Sequence, residues 1–154
     1  VYGLDAGLLD SLVAASSLHD IGKIAVPDVL LQKQDRLNDQ EAQVLRQHTL
    51  QGHRLLSKGT SWTLHLAAEV ALNHHERWDG KGYPGLLEKD EIPVVARVFA
   101  IADAYDIMVT GTPYKKPMNN KQALNEIKDK AGSQFDPNLA EIFIKIMGEV
   151  EQVV

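Results

Sequence analysis

The chain has 154 residues, of which 44% are hydrophobic and 24% are charged, and these proportions are typical of a globular domain. Its formal net charge of −5 argues against a surface that binds a nucleic-acid polymer, although bound metal ions could still attract an anionic ligand. The absence of cysteine excludes disulfides, thiolate metal sites and a cysteine nucleophile, and it agrees with a cytoplasmic location.

The first residue is not methionine, and no signal peptide is visible. The most apolar stretch, residues 93–109, includes Arg97, Asp103 and Asp106, so it is too short and too charged to span a bilayer. We therefore expect no membrane contact by this segment. We expect residues 1–154 to form one domain that is truncated at its N-terminus.

Helix signals follow one another along the chain, and no alternating strand pattern interrupts them. Residues 4–18 are apolar on most sides and are expected to form a buried helix. Further helices are predicted from apolar periodicity and from capping residues, at residues 27–31, 38–57, 60–75, 93–110, 119–131 and 136–150. Residues 76–91 read as a loop. The sequence therefore predicts an all-α fold of about six to seven helices with no significant sheet.

A histidine, an aspartate and a lysine stand close together at the end of the first predicted helix, in the segment Leu-His-Asp-Ile-Gly-Lys at residues 18–23. His19 and Asp20 are adjacent, so both reach one metal ion only where the helix ends and the backbone turns. Gly22 supplies the bend, and Lys23 could then reach back toward an anion. Taken alone, this segment is equally compatible with an ordinary helix end and a solvated lysine.

Partners of the same chemical type occur downstream. His74 and His75 repeat the adjacent arrangement where another helix gives way to a loop. His48 lies within a helix one turn before Gly52, whose missing side chain leaves room for another backbone or a ligand. Asp103 lies on the most apolar predicted helix, where a carboxylate needs a partner or a metal ion. These residues together predict a metal site.

Imidazole and carboxylate ligands without sulfur suit iron, manganese, zinc, cobalt or nickel, and they do not choose among these metals. Asp20 could bridge two ions, and such a pair activates water and binds a phosphoryl oxygen.

His53 and His65 lack an acidic neighbour at helical spacing and are interpreted as surface or core histidines. Trp62 is interpreted as a packing residue, and Trp78 as a loop lid or a stacking surface.

The loop at residues 80–85 spells Gly-x-Gly-x-x-Gly. A dinucleotide-binding fold is nevertheless rejected, because no strand precedes the loop, Pro84 interrupts it and no helix follows at once.

In their order along the chain, these motifs resemble the HD-GYP family, a branch of the HD superfamily of metal-dependent phosphohydrolases. The resemblance extends from about residue 12 to 146. The first two matching segments are His19-Asp20-Ile21-Gly22-Lys23 and His48-Thr49-Leu50-Gln51-Gly52. The others are Asn-His-His-Glu-Arg-Trp-Asp-Gly-Lys-Gly-Tyr-Pro at residues 73–84, Ile-Ala-Asp-Ala-Tyr-Asp at residues 101–106, and Phe135-Asp136-Pro137. The resemblance implies a helical bundle that encloses two or three divalent ions. Iron or manganese would be expected, with zinc, nickel and cobalt as alternatives.

The resemblance also implies an activity in bacterial signalling. Members of the family open cyclic di-GMP to linear pGpG, in some cases on to GMP, through a hydroxide that bridges the metal ions. Carried over by position, the metal ligands would be His19, Asp20, His48, His74, His75 and Asp103, with Asp20 as the bridge. The catalytic residues would be Asp20 and Lys23. Substrate contacts would come from Lys23, Gly80, Gly82, Tyr83, Pro84, Tyr114 and Lys115.

Partners are implied in the same way. The Gly-Tyr-Pro loop is a suggested docking surface for a diguanylate cyclase domain, and a sensor or receiver domain that is fused to the chain or regulates it is expected.

Two departures from the family pattern favour an alternative, a catalytically silent module that binds a cyclic dinucleotide or docks a cyclase. No histidine or glutamate precedes His19, and Thr112 stands where an arginine is usual. A mononucleotide phosphohydrolase is a third reading, which the Gly-Tyr-Pro loop disfavours.

Overall fold

The structure is a computed structural model of the chain, and it describes residues 6–111 and 116–150. Within these ranges the chain forms seven α-helices, which are α1 (Ala6–Ser16), α2 (Asp28–Leu31), α3 (Asp39–Leu56), α4 (Trp62–Asn73), α5 (Val94–Thr110), α6 (Asn120–Asp129) and α7 (Pro137–Val150). Short 3₁₀ turns occur at Ile21–Ala25 and Lys89–Glu91. Across the described ranges there is no β-strand, and only isolated bridges pair Asp79 with Glu88 and Ala131 with Phe135. The predicted all-α class is confirmed.

Local capping explains why several helices begin close to their predicted positions. Asn38 accepts a hydrogen bond from the Glu41 amide at 2.9 Å, and the Glu41 carboxylate accepts one from the Asn38 amide at 2.8 Å. Asn119 and Gln122 form the same reciprocal pair at α6. The Ser61 hydroxyl accepts from an amide in the first turn of α4. These bonds satisfy amides that a helix start leaves without a partner.

The described residues fall into two compact units. The first unit runs up to His75 and includes Tyr83–Gly85, and the second is formed by Glu76–Gly82 and the chain from Leu86 onward. In the first unit, α4 packs against α1 and α3, and the 3₁₀ turn Ile21–Ala25 packs against α3. Its buried apolar side chains include Ala15, Val26, Leu56, Leu66, Ala67, Val70 and Ala71.

Gly22 allows the 3₁₀ turn to lie directly on α3, opposite Gly52. A Cβ atom on Gly22 would stand 1.9 Å from the His48 carbonyl oxygen and 2.4 Å from the Gly52 amide nitrogen. Only a residue without a side chain fits there. Gly52 leaves room for another backbone, as the sequence predicted. The contact holds the segment after His19 and Asp20 against the helix that carries His48.

In the second unit, α5, α6 and α7 enclose a core of Ile101, Ile127, Phe135, Leu139 and Ala140. Beside it, the Arg97 guanidinium donates to the buried Asp136 carboxylate at 2.8 Å and to the exposed Asp90 carboxylate at 2.9 Å. The Arg97 guanidinium carbon also lies 5.6 Å from the centre of the Trp78 ring. Trp78 is therefore a stacking surface for an internal arginine.

Two packing predictions are wrong. Among the α1 side chains that the structure describes, Ala15 is fully buried but Val13 is 72% exposed, so this part of the helix is not buried on most sides. Trp62 was predicted to pack, but it is 64% exposed. Both errors have one cause, since a helix that packs on one or two neighbours buries only the stripe that faces them.

His65 is exposed and His53 is partly exposed, which agrees with their interpretation as surface histidines. None of the described helices has the length and apolar character needed to cross a membrane.

Candidate metal centre

Three segments of the first unit bring imidazoles and a carboxylate together. His19 and Asp20 lie in the turn after α1, His48 lies in α3, and His74 and His75 follow the end of α4. The ring centres of His19 and His74 are 5.2 Å apart, those of His48 and His75 are 5.2 Å apart, and those of His74 and His75 are 4.0 Å apart. One ligand atom from each of His48, His74 and His75 lies within 4.8 Å of the others, so the three could hold a metal ion.

Backbone carbonyl groups determine which ring nitrogens face this cluster. The Nδ1 atom of His48 is 2.7 Å from the carbonyl oxygen of Leu45. The Nδ1 atom of His74 is 3.0 Å from two carbonyl oxygens of the preceding turn of α4. A carbonyl oxygen only accepts, so both Nδ1 atoms carry the proton, and each neutral ring presents a lone pair on Nε2. This is the tautomer of a metal-binding histidine whose other nitrogen is held by the backbone.

Burial keeps these rings neutral. Burial, together with the neighbouring imidazoles, lowers the pKa of His74 to about 4 and that of His75 to about 3. Burial also lowers the pKa of His48. For Asp20, burial acts to raise the pKa, but hydrogen bonds from His19 and Lys23 outweigh it and hold the pKa well below its usual value. The neutral imidazoles of His48, His74 and His75 are therefore combined with a charged carboxylate.

The Asp20 carboxylate lies among the imidazole nitrogens. Its Oδ2 atom is 3.2 Å from Nε2 of His19 and accepts a hydrogen bond from the Lys23 ammonium. Its Oδ1 atom is 3.3 Å from Nε2 of His48 and 3.8 Å from Nε2 of His74, and those two Nε2 atoms are 3.4 Å apart.

The Oδ1 atom of Asp20 is buried and receives no hydrogen bond from any residue that the structure describes. The facing Nε2 atoms of His48 and His74 carry lone pairs and cannot donate to it. A buried carboxylate oxygen without a donor is costly, and lone pairs that face it add repulsion. A cation among these atoms would satisfy all of them, so the residues present fit a divalent metal ion.

Tyr83 lies beside the cluster in the same unit. Its ring stacks on His75 with ring centres 4.7 Å apart, and its amide donates to the His75 carbonyl oxygen at 3.2 Å. Burial raises the pKa of Tyr83 to about 12, so the phenol stays protonated at neutral pH. The Arg46 guanidinium carbon lies 4.9 Å from the centre of the same ring. Arg46 was not predicted as a site residue from the sequence, although it is a basic residue two positions before His48, a candidate ligand.

The remaining predicted site residues are placed as follows. Gly80 and Gly82 belong to the second unit, where Gly80 has a φ of 71° and a Cβ on Gly82 would lie 2.5 Å from backbone atoms of Glu76 and Arg77. Both glycines therefore shape the loop through their backbones.

Asp103 is half-buried on α5 of the second unit, and its role as a ligand stays a prediction. Pro84 follows Tyr83 through a cis peptide bond. Tyr114 and Lys115 lie outside the described residues.

Comparison with known proteins gives consistent findings. A family model described as HD domain matches residues 2–139. A cyclic di-GMP phosphodiesterase of Thermotoga maritima is 42% identical over 151 residues, which are 98% of this chain and 41% of that protein. A 3′3′-cGAMP-specific phosphodiesterase of Vibrio cholerae is 37% identical over 145 residues, which are 94% of this chain and 28% of that protein.

The fold also has a solved counterpart. The crystal structure of a cyclic GMP-AMP specific phosphodiesterase of Vibrio cholerae matches with a TM-score of 0.71 and 20% sequence identity, over 96% of this chain and 40% of that chain. The two proteins share a fold. The chain spans less than half the length of each of these three relatives.

Proposed function

The chain belongs to the HD domain family, in its HD-GYP branch, and on that premise we propose that it is a metal-dependent phosphodiesterase that hydrolyses cyclic di-GMP to linear pGpG. The observation that carries the proposal is the set of ligand atoms in the first unit, where His48, His74 and Asp20 direct lone pairs at one another. Among the described residues, none donates a hydrogen bond to the buried Oδ1 atom of Asp20. The names of the two curated relatives support a cyclic dinucleotide as substrate.

We propose that the cluster holds two or three divalent ions, iron or manganese, with zinc, nickel and cobalt as alternatives that the donor set also accepts. Asp20 would be a ligand shared between ions, because its two carboxylate oxygens face different histidines, His19 on one side and His48 on the other. Asp103 is proposed as a further ligand. When bound, such ions act as Lewis acids toward the phosphate and lower the pKa of the attacking water.

The protein side chains have separate tasks in this proposal. Lys23 contacts Asp20, and its ammonium group has two further hydrogens that can bind an oxygen of the scissile phosphate. Tyr83 closes one side of His75 and remains neutral. In the reaction, the bond between phosphorus and the 3′ oxygen breaks, the water oxygen bonds to phosphorus, and a proton passes to the departing 3′ oxygen.

A direct assay tests the proposed activity. The purified protein, loaded with Fe²⁺ or with Mn²⁺, should convert cyclic di-GMP to pGpG, which is followed by chromatography. No hydrolysis with either metal would contradict the proposal. Because one relative is named for 3′3′-cGAMP, both cyclic dinucleotides should be compared, and a higher kcat/KM for 3′3′-cGAMP would reassign the substrate.

Two variants test the assigned roles. Asp20→Ala should remove metal and activity together, because it deletes the proposed bridging carboxylate. Lys23→Ala should keep the metal content but lower kcat/KM by about 10²–10³, the effect expected of one charge-stabilising contact. His53→Ala, which alters a partly exposed histidine of α3, is the control and should change neither quantity. If Lys23→Ala lost its metal, or Asp20→Ala retained all of its metal, the roles would be wrong.

A second candidate function is a catalytically silent module that binds a cyclic dinucleotide or docks a diguanylate cyclase domain. Thr112, in place of the family's usual arginine, favours it. Calorimetry separates the two functions, because a silent module binds the nucleotide or the cyclase without turnover. Cyclase docking through the Gly-Tyr-Pro loop and an attached sensor or receiver domain remain predictions.

A further inference from the structure

An exposed arginine lies next to the candidate metal centre. Arg46 is on α3, and its guanidinium carbon is 4.9 Å from the centre of the Tyr83 ring. That ring stacks on His75 at 4.7 Å with an angle of 29° between the planes. A solvent-facing positive charge is thus linked through one aromatic ring to a histidine of the cluster.

The Arg46 guanidinium is available to a ligand. Among the residues that the structure describes, no carboxylate forms an ion pair with it, and its contact is with the face of Tyr83. A cation over an aromatic face is weakly attracted to it, and its N–H groups at the edge of the guanidinium remain free to donate. Contact with the ring also restricts the side chain before binding, which lowers the entropy lost when a ligand is bound.

The charge of a cyclic dinucleotide calls for such a group. The molecule carries two phosphodiesters, and only one of them is broken in a turnover. In the proposed function, Lys23 would bind that scissile phosphate beside the metal centre, while the second phosphate would keep its negative charge in the site. A guanidinium is the side chain best matched to an unreactive phosphate, because its planar fork donates two parallel hydrogen bonds.

We propose that Arg46, supported by Tyr83, binds the non-scissile phosphate of the cyclic dinucleotide. This inference rests on the proposed function. It makes Arg46 a residue that selects substrates with two phosphates and does not take part in bond breaking. Its removal should therefore weaken substrate binding and leave the chemical step unchanged.

The test compares two substrates in metal-loaded protein. Arg46→Ala should raise the KM for cyclic di-GMP by about 10- to 100-fold, the effect of one charged hydrogen-bonding contact, with kcat within about two-fold of the original protein. With bis(p-nitrophenyl) phosphate, which has a single phosphodiester, its KM should be unchanged. Arg46→Lys should recover part of the loss, since an ammonium still pairs with phosphate but lacks the fork.

The matched control is Arg54→Ala, which removes the same charge from an exposed position on the same helix. It should change neither KM, and all variants should keep the original metal content in elemental analysis. An unchanged KM for cyclic di-GMP in Arg46→Ala would overturn the inference. A fall in kcat, or an equal loss with both substrates, would overturn it too, because Arg46 would then act by positioning Tyr83 and His75. If the original protein hydrolyses no cyclic dinucleotide, the proposed function itself fails, which is a distinct outcome.

Discussion

Replacing Gly22 by alanine should damage the candidate metal centre, although Gly22 offers no ligand. The added Cβ would stand 1.9 Å from the His48 carbonyl oxygen, whereas real Cβ atoms essentially never approach another atom closer than 3.0 Å. The backbone of residue 22 fixes the position of a Cβ, and the His48 oxygen belongs to the backbone, so no side-chain rotation can relieve the contact. The 3₁₀ turn must therefore move away from α3 by about 1 Å or more.

This movement has two expected consequences. Forced backbone shifts in a packed interior cost about 1–3 kcal/mol, and a contact with two backbone atoms places Gly22→Ala at about 3 kcal/mol. The shift also carries Asp20, two residues earlier, away from His48, so that the present 3.3 Å between Oδ1 and Nε2 lengthens. Since ligand sets tolerate displacements of only about 0.5 Å, we expect metal affinity to fall by at least about ten-fold.

Gly52→Ala is the matched control on the other side of the same contact. Its Cβ would be 3.2 Å from the Ala71 Cβ and 3.4 Å from the Gly22 amide nitrogen, so its neighbours need to move by only a few tenths of an ångström. The gain of up to about 1 kcal/mol from alanine within a helix should offset that cost. Urea denaturation with a chelator present gives the free energy of unfolding, and Mn²⁺ titration by calorimetry gives the affinity. Original stability and affinity in Gly22→Ala, or equal damage in both variants, would refute this reading of the contact.

Three further outcomes are expected. Asp136→Asn should lower the free energy of unfolding by about 3 kcal/mol, because the buried Arg97 charge loses its buried partner. Asp90→Asn should cost less than about 0.5 kcal/mol, because the Asp90 side chain is 86% exposed. Thermal denaturation measures both losses, and similar losses in the two variants would contradict this expectation. In metal-free protein, burial lowers the pKa of His74 from 6.5 to about 4, so the unfolded state takes up the proton first as the pH drops. The free energy of unfolding should therefore fall by up to roughly 3 kcal/mol between these two pH values. A constant free energy of unfolding in urea titrations over this pH range would exclude the effect. Gly148→Ala should raise the melting temperature, because the added Cβ meets no atom within 4 Å and alanine favours a helix over glycine by about 1 kcal/mol. A lower melting temperature would count against the placement of Gly148 in α7.

The elements that the sequence predicted well depend on interactions between near neighbours. The caps at Asn38 and Asn119 join residues three positions apart, so the residues that form them can be read directly from the chain. The same holds for the turn at His19 and Asp20, where the helix end is encoded locally. The order of these motifs along the chain sufficed to indicate the family by resemblance.

What the sequence alone left open depends on how the helices pack. The apolar residues of α1 looked equally suited to burial, and only the position of α4 decided that Ala15 is covered and Val13 is exposed. Arg97 and Asp136 are 39 positions apart, so no local pattern reveals their ion pair. The contact of Arg46 with Tyr83 likewise joins two segments that are distant in sequence. Side chains far apart along the chain meet only after the backbone has folded, and their pairing is therefore a property of the tertiary structure.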